Sequence, residues 1–259
     1  MNNRQNDAEY FTQSTGIKTA YRYTPSTNAS PTIIFLPGYM SDMDGSKACA
    51  IFDDAHVHGY GVMLLDYSGC GKSDGKFSDG ALSIWRDEVL ALIDAKIDGP
   101  VVLIGSSMGG WLMLMVALQL IESHGPQKVV GMMGIAAAPD FTDWDFDTKA
   151  KAIIAADGVL YEDNPYGPEP TPIYRKFFDD AQKQLLLQGE ISIDCPVILF
   201  HGQNDNDVPF DVSMRLAKAL RSSQVQLHLV KDGDHRFSRE QDIAMLIAAL
   251  RDFVGVDII

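Results

Sequence analysis

A serine between two glycines is the best candidate for a nucleophile in this sequence of 259 residues. Ser107 has Gly105 two positions before it and Gly109 two positions after it, whereas the adjacent Ser106 has no glycine at those positions. An apolar run at 101–104 precedes the motif and an apolar helical run follows it, which is the strand, turn and helix context of a nucleophile elbow. Small neighbours on so sharp a turn let the strand and the helix approach each other. The pattern predicts Ser107 as a nucleophile, against the alternative of a glycine-rich helix start with two capping serines.

A serine nucleophile needs a histidine to take its proton and an acid to orient that histidine. In chains with a nucleophile elbow these residues follow the order serine, acid, histidine. This order excludes four of the six histidines, namely His56, His58, His124 and His201. Of the other two, His228 lies within an apolar run typical of a strand, while His235 lies in the polar loop that follows. A loop at the sheet edge can carry an imidazole to the serine, so His235 is the predicted base.

The acid is expected in the polar segment 201–209, which follows an apolar run at 197–200. Parallel strands present such loops at their carboxyl ends, where ligands bind in α/β sheets. The segment contains two candidate carboxylates, Asp205 and Asp207, and the residues alone leave both open. Either could instead cap the helix that is expected from about Asp211 onward.

Two backbone N–H groups are the predicted donors to the oxyanion that forms when a carbonyl is attacked. One belongs to Met108, directly after the nucleophile. The other belongs to Tyr39, because Gly38 in the turn at 36–40 lets the backbone approach a substrate; a plain Pro-Gly turn is the alternative. Substrate contacts are expected from three further side chains, Met40, Trp111 and Trp144.

Alternating strand and helix patterns predict an α/β fold with a mostly parallel central sheet of about eight strands and helices on both faces. The predicted buried strands are the continuous apolar runs 32–36, 62–65, 101–104 and 197–200, and two more strands are predicted at 129–135 and 225–230. An antiparallel hairpin at 10–23 is expected at one edge of the sheet. The predicted helices with one apolar face are 82–97, 211–220 and 239–254.

The segment 139–194, after the sixth strand, shows no clear strand pattern and is predicted to be a small helical lid inserted into a single domain of residues 1–259. Helical patterns at 148–156 and 175–187 flank a proline-rich stretch. The lid holds 12 acidic and 5 basic side chains, half of the chain's excess of negative charge. A solvated outer face accounts for such a run; the alternative is a lid that discourages anionic substrates.

Composition excludes several classes of protein. A net charge of -14 argues against nucleic acid as a partner, and no apolar run approaches the roughly 18 residues that span a bilayer. Residues 1–9 resemble neither a secretory signal nor a transit peptide. The three cysteines have no spacing typical of a metal site. We therefore expect a cytoplasmic protein with reduced thiols and with no metal or cofactor.

Taken in order, these motifs resemble the α/β-hydrolase superfamily. The matching segments are 37–39, 66–69, 105–111, 201–209 and 234–236. Within the superfamily the chain is similar to acyl-protein thioesterases with mitochondrial and bacterial members, which act as depalmitoylases and acyl-glucuronide esterases. The resemblance implies Ser107 as nucleophile, Asp205 as acid, His235 as base, and the amides of Tyr39 and Met108 as oxyanion donors.

The expected activity is that of a serine hydrolase cleaving carboxylic esters or thioesters through an acyl-enzyme, as a monomer or homodimer and without a cofactor. Two alternatives are a peptidase or C–C bond hydrolase on the same triad, and a non-catalytic binding module. The second is disfavoured because such modules typically lose a triad residue, and all three are present. The lid departs from the family pattern, so the resemblance supports the reaction class and not a particular substrate.

Overall fold

The computed structural model describes residues 7–28 and 30–255, so that most of the N-terminal segment 1–9 considered above lies outside the described residues. Eight strands form the central sheet, and they are β1 (Glu9–Thr12), β2 (Lys18–Thr24), β3 (Thr32–Leu36), β4 (Val62–Leu65), β5 (Val101–Ser106), β6 (Val129–Ile135), β9 (Val197–Gly202) and β10 (Val225–Val230). Two more, β7 (Val159–Glu162) and β8 (Thr171–Tyr174), form a separate sheet.

The order in the central sheet is β1-β2-β4-β3-β5-β6-β9-β10. Only β1 and β2 run antiparallel to their neighbours, which confirms the expected edge hairpin and the mostly parallel α/β sheet. The parallel register pairs Leu36 with Gly105 and Ser106 with Ile135. The loops after β3, β5, β6 and β9 therefore leave the sheet at the same edge, where the sequence places its candidate chemistry.

Helices cover both faces of the sheet. They are α1 (Ser46–His58), α2 (Leu82–Lys96), α3 (Met108–His124), α4 (Phe141–Trp144), α5 (Thr148–Asp157), α6 (Arg175–Ala181), α7 (Asp211–Ala219) and α8 (Glu240–Val254). Side chains of α1 and α8 pack in one apolar layer, and those of α2, α3 and α7 pack in the other. Within the described part of the chain, none of these helices combines the length and the apolar character that crossing a membrane requires.

The predicted lid is less helical than expected. Between β6 and β9 the chain forms α4, α5 and α6, but also the antiparallel pair β7 and β8. The expectation of a lid without strands is therefore wrong. Prolines hid the strand signal, because Pro172 lacks the N–H that a strand interior needs and is tolerated only where the sheet ends; it lies opposite Tyr161 in a sheet that has only two strands.

Candidate active site

The turn between β5 and α3 holds Ser107 in a strained conformation. Its φ is 55° and its ψ is -123°, a region that residues other than glycine rarely occupy. A Cβ built on Gly105 would overlap the carbonyl of Gly109, and one built on Gly109 would overlap the carbonyl of Leu36. The two glycines thus let β3, β5 and α3 meet at the turn, and the serine side chain is left at the edge of the sheet.

The structure brings His235 and Asp205 to this serine. The His235 Nε2 atom lies 3.0 Å from the Ser107 Oγ atom, and its Nδ1 atom lies 2.9 Å from Asp205 Oδ2. With Nδ1–H donated to the carboxylate, Nε2 has a free lone pair to accept the serine proton. The side chain of Asp205 is fully buried, whereas 15% of the His235 side chain is exposed. The arrangement can therefore deprotonate an attacking hydroxyl at the cavity surface while its acid stays dry.

Asp205, and not Asp207, faces the imidazole. The Asp205 Oδ1 atom accepts hydrogen bonds from the backbone N–H groups of Asp207 and Val208, at 2.9 and 2.8 Å. Burial alone would raise the pKa of Asp205, but hydrogen bonds from two histidines and from Val208 lower the pKa well below its usual range. The folded structure thus favours the charged form of this carboxylate. Asp207 instead accepts a hydrogen bond from Tyr166 of the lid.

The two expected oxyanion donors belong to chain segments next to the serine. A Cβ at Gly38 would be 3.3 Å from the Ser107 Cβ atom, so the turn after β3 runs directly against the nucleophile. Among residues 7–28 and 30–255, the backbone N–H groups of Tyr39 and Met108 have no hydrogen-bond acceptor. Two free amides beside a nucleophile can bind an oxygen that becomes negatively charged.

The Tyr39 side chain ties this turn to the lid. Its ring packs edge-on against Phe77 and Phe177, with centroids 4.9 Å apart in both pairs. Its hydroxyl donates a hydrogen bond of 2.8 Å to the carbonyl of Pro172 in β8. The backbone that carries one oxyanion donor is therefore fixed by contacts from both the core and the lid.

A cavity of about 700 Å³ opens over the serine. Its apolar wall contains Met40, Met108, Phe141, Trp144, Phe146 and Ile173. Met40 and Trp144 thus lie where the sequence predicts substrate contacts. Trp111 does not: its side chain is fully buried in the core below the sheet edge, and its Nε1–H donates to the Gln184 carbonyl. The expectation that Trp111 binds substrate is wrong, because α3 turns that position away from the cavity.

Acidic side chains, which the sequence analysis did not single out, also line the cavity. Burial raises the pKa of Asp145, and the nearby Asp207 raises it further; burial and Asp145 act in the same way on Glu162. Within the described residues neither carboxylate has an ion-pair partner. The negative charge of the lid signalled such a wall, but only the folded lid shows which acids reach the cavity.

Two family models match the chain. The model of the alpha/beta hydrolase fold matches residues 31–161, and that of the prolyl oligopeptidase family matches residues 97–256. The mitochondrial palmitoyl-protein thioesterase ABHD10 of Homo sapiens is 37% identical over 236 residues, which are 90% of this chain and 76% of that protein.

Solved structures of α/β hydrolases also resemble this chain. A putative hydrolase from Agrobacterium vitis S4 superposes with a TM-score of 0.90 at 37% identity, covering 96% of this chain and 98% of that chain. The alpha/beta hydrolase domain-containing protein 10 from mouse superposes with a TM-score of 0.87 at 33% identity, with the same coverage. With this sheet order, this elbow and these relatives, the chain belongs to the α/β-hydrolase fold family.

Proposed function

We propose that the protein is a serine hydrolase that cleaves carboxylic esters or thioesters through an acyl-enzyme on Ser107. The observation that carries the proposal is the hydrogen-bonded series Ser107, His235 and Asp205 at the floor of an open cavity. Neighbouring free amides supply what a tetrahedral intermediate needs.

The proposed reaction has two halves. The Ser107 Oγ atom attacks the substrate carbonyl while its proton passes to His235 Nε2, and the amides of Tyr39 and Met108 bind the oxyanion. The intermediate collapses, and the leaving alcohol or thiol takes the proton from His235. Water then gives its proton to His235 and attacks the acyl-enzyme; collapse returns the proton to Ser107 and releases the carboxylic acid.

An aliphatic acyl group is the proposed occupant of the apolar wall. Met40 and Met108 are unbranched and can adapt to chains of different length, while Phe141, Trp144 and Phe146 offer flat apolar surfaces. The relatives named palmitoyl-protein thioesterases are consistent with such a substrate. The proposal covers acyl chains of different lengths and includes both esters and thioesters.

A peptidase on the same triad is the second candidate. The prolyl oligopeptidase model matches from β5 to the end of α8, a stretch that contains all three triad residues. Asp145 and Glu162, which lack a cation partner among the described residues, could pair with a substrate amine. The same two acids disfavour an anionic substrate.

Hydrolysis of p-nitrophenyl esters and acyl-CoA thioesters from two to sixteen carbons tests the proposal, with aminoacyl p-nitroanilides assayed in parallel. We expect activity on esters or thioesters that Ser107→Ala abolishes, and labelling of wild-type Ser107 by a fluorophosphonate. Activity on the anilides alone would establish the peptidase. Ester hydrolysis that survives Ser107→Ala, or the absence of labelling, would overturn the serine mechanism.

We also propose that the protein is cytoplasmic and that it is a monomer or a homodimer. The described cysteines Cys49, Cys70 and Cys195 are free thiols, which suits a reducing compartment, although the palmitoyl-protein thioesterase relatives are named as mitochondrial. Fractionation of the source cells and light scattering of the purified protein test the two points.

A further inference from the structure

His201, which the chain order excludes as the base, lies directly behind the triad acid. It belongs to β9, and its side chain is fully buried. Its Nε2 atom is 3.2 Å from Asp205 Oδ2 and 2.9 Å from the Val208 carbonyl oxygen. On the other side of the ring, Nδ1 is 2.7 Å from the hydroxyl of Ser213 in α7. Every polar atom of this buried ring thus has a partner.

These contacts fix the position of the ring proton. A carbonyl oxygen and a carboxylate can only accept hydrogen bonds, so Nε2 must carry the hydrogen that both of them face. The Ser213 hydroxyl can then donate to Nδ1. The Asp205 Oδ2 atom consequently lies between two imidazoles, 2.9 Å from His235 Nδ1 at the cavity and 3.2 Å from His201 Nε2 in the core.

We propose that His201 is a positioning residue for the triad, which holds Oδ2 of Asp205 toward His235 and takes up part of its negative charge. The inference rests on the proposed function, since it assigns a role within the same triad. Two backbone amides already hold Oδ1 of Asp205, so the contact from His201 acts on the other oxygen, on the side away from the cavity, and helps to keep it toward His235.

If His201 takes up part of the Asp205 charge, replacing it should change the pH dependence of the reaction, which a loss of packing alone would not do. Without the His201 donor, the charge on Oδ2 would act on His235 alone and would stabilise the protonated imidazole more strongly. A protonated ring cannot accept the serine proton. The acidic limb of the kcat/KM profile would therefore move to higher pH.

Other charged and titratable groups flank His235 in the chain or line the same cavity, and they stay constant in the comparison. Asp234 and Arg236 flank it in its own loop, Asp207 lies in the loop after β9, Lys47 comes from α1, and Tyr166 comes from the lid. None of them is changed by a substitution at His201.

Two substitutions at His201 and one matched control test the proposal. His201→Phe keeps a ring and removes both nitrogens, whereas His201→Gln can place an amide donor near the position of Nε2. The control, Ser213→Ala, disturbs the same buried cluster but leaves the Nε2–H donor in place.

For His201→Phe we expect kcat to fall ten- to a hundredfold, the loss that follows when a residue that orients a functional side chain is removed. KM should stay within about twofold of the wild-type value, because His201 is not among the residues that line the cavity. The acidic limb should move up by about half a pH unit, in line with the loss of one hydrogen bond. His201→Gln should restore most of kcat, and Ser213→Ala should keep the wild-type limb.

A folded His201→Phe protein with the wild-type limb and kcat would overturn the inference. If this variant does not fold, the nitrogen-15 spectrum of histidine-labelled wild type decides: a proton on Nε2 of His201 supports the inference, and a proton on Nδ1 overturns it. Loss of activity in Ser107→Ala alongside unaffected His201 variants would reject this role and leave the proposed function intact. Activity that survives Ser107→Ala would reject the proposed function itself.

Discussion

The lid residue Tyr166 donates its hydroxyl hydrogen to the side chain of Asp207, two positions after the triad acid. The Arg236 guanidinium lies 5.3 Å from the centroid of the same ring, directly after the triad base. One lid side chain thus contacts both loops that carry the acid and the base. Burial and the bond to Asp207 raise the pKa of Tyr166 above its usual value, so the hydroxyl stays a donor throughout the physiological range.

Loss of that hydroxyl should loosen the lid. In Tyr166→Phe the cation–π contact with Arg236 remains, but the hydrogen bond to Asp207 is lost. The loss of one such bond reduces the stabilising free energy of the lid contact by about 1 kcal/mol. We expect KM for an ester substrate to rise up to about fivefold, with kcat nearly unchanged, because the cavity wall is less well ordered before binding. Steady-state kinetics measure both values. A fall in kcat with an unchanged KM would contradict the role of the contact.

Removal of the nucleophile should be far more severe than removal of its neighbour. Ser107→Ala should lower kcat on a p-nitrophenyl ester by about 10⁴-fold or more. Ser106→Ala is the matched control, because it removes a hydroxyl one position away that makes no contact with His235. We expect the control to keep its rate within a few-fold of wild type. Equal losses in the two variants would argue for collapse of the turn instead of loss of the nucleophile.

Substitution of the elbow glycines should destabilise the fold. A methyl group at Gly109 would overlap the carbonyls of Leu36 and Pro37, and such overpacking costs about 1 to 3 kcal/mol. Urea unfolding of Gly109→Ala should show this loss. Gly189→Ala is the control, since no atom lies within 4 Å of the position that its Cβ would take. A Gly109→Ala protein as stable as wild type would refute the steric reason for the motif.

Asp205→Asn should lose activity and, in addition, pH-dependent stability. The rate should fall about 10⁴-fold, as when the acid of such a triad is neutralised. The pKa of Asp205 is lower in the folded state than in the unfolded chain. Its charge therefore stabilises the fold above a pH of about 4, the unfolded value, and this stabilisation is lost as the pH falls through the folded value.

The free energies of unfolding of wild type and Asp205→Asn should accordingly differ most near neutral pH and converge in acid. Denaturant titrations at several pH values between neutrality and the acid limit of reversible folding measure this difference. A gap that is independent of pH would show that the hydrogen bonds of Asp205, and not its ionisation, stabilise the loop.

Neutralising an acid of the cavity wall should stabilise the protein. Burial and Asp145 raise the pKa of Glu162 in the folded state, so its charged form opposes folding at neutral pH. We expect Glu162→Gln to raise Tm at neutral pH and to lower KM for neutral long-chain esters. It should raise KM for aminoacyl substrates if the peptidase alternative holds. A lower Tm would indicate a cationic partner for Glu162.

Local patterns were sufficient to predict the elbow and most of the sheet. The bounds of β3, β4 and β6 match their predicted segments because these strands are mostly buried apolar sequences within the sheet. The bounds of β10 match as well, although this edge strand contains Gln226 and His228 and is partly exposed. The identity of the nucleophile followed from a spacing of two residues on each side of Ser107. Such signals depend on neighbours along the chain, which a sequence displays directly.

Signals that depend on distant contacts were missed. Helix α1 was missed as well, although its buried residues Ala48, Ile51, Phe52 and Ala55 have the spacing of one helix face. The choice between Asp205 and Asp207 depends on how one loop folds against another, and the residues alone left it open. Trp111 is buried in the core, whereas Trp144 lines the cavity. No sequence pattern near the two tryptophans indicates this difference.

The bond between the Tyr39 hydroxyl and Pro172 ends on a main-chain oxygen, which every amino acid offers. Lid side chains can therefore be exchanged by mutation without removing the acceptor that steadies the oxyanion turn. A lineage with this architecture can change what the cavity admits while the machinery beneath keeps its geometry. Variation in substrate range should accordingly arise in the lid, at little cost to turnover.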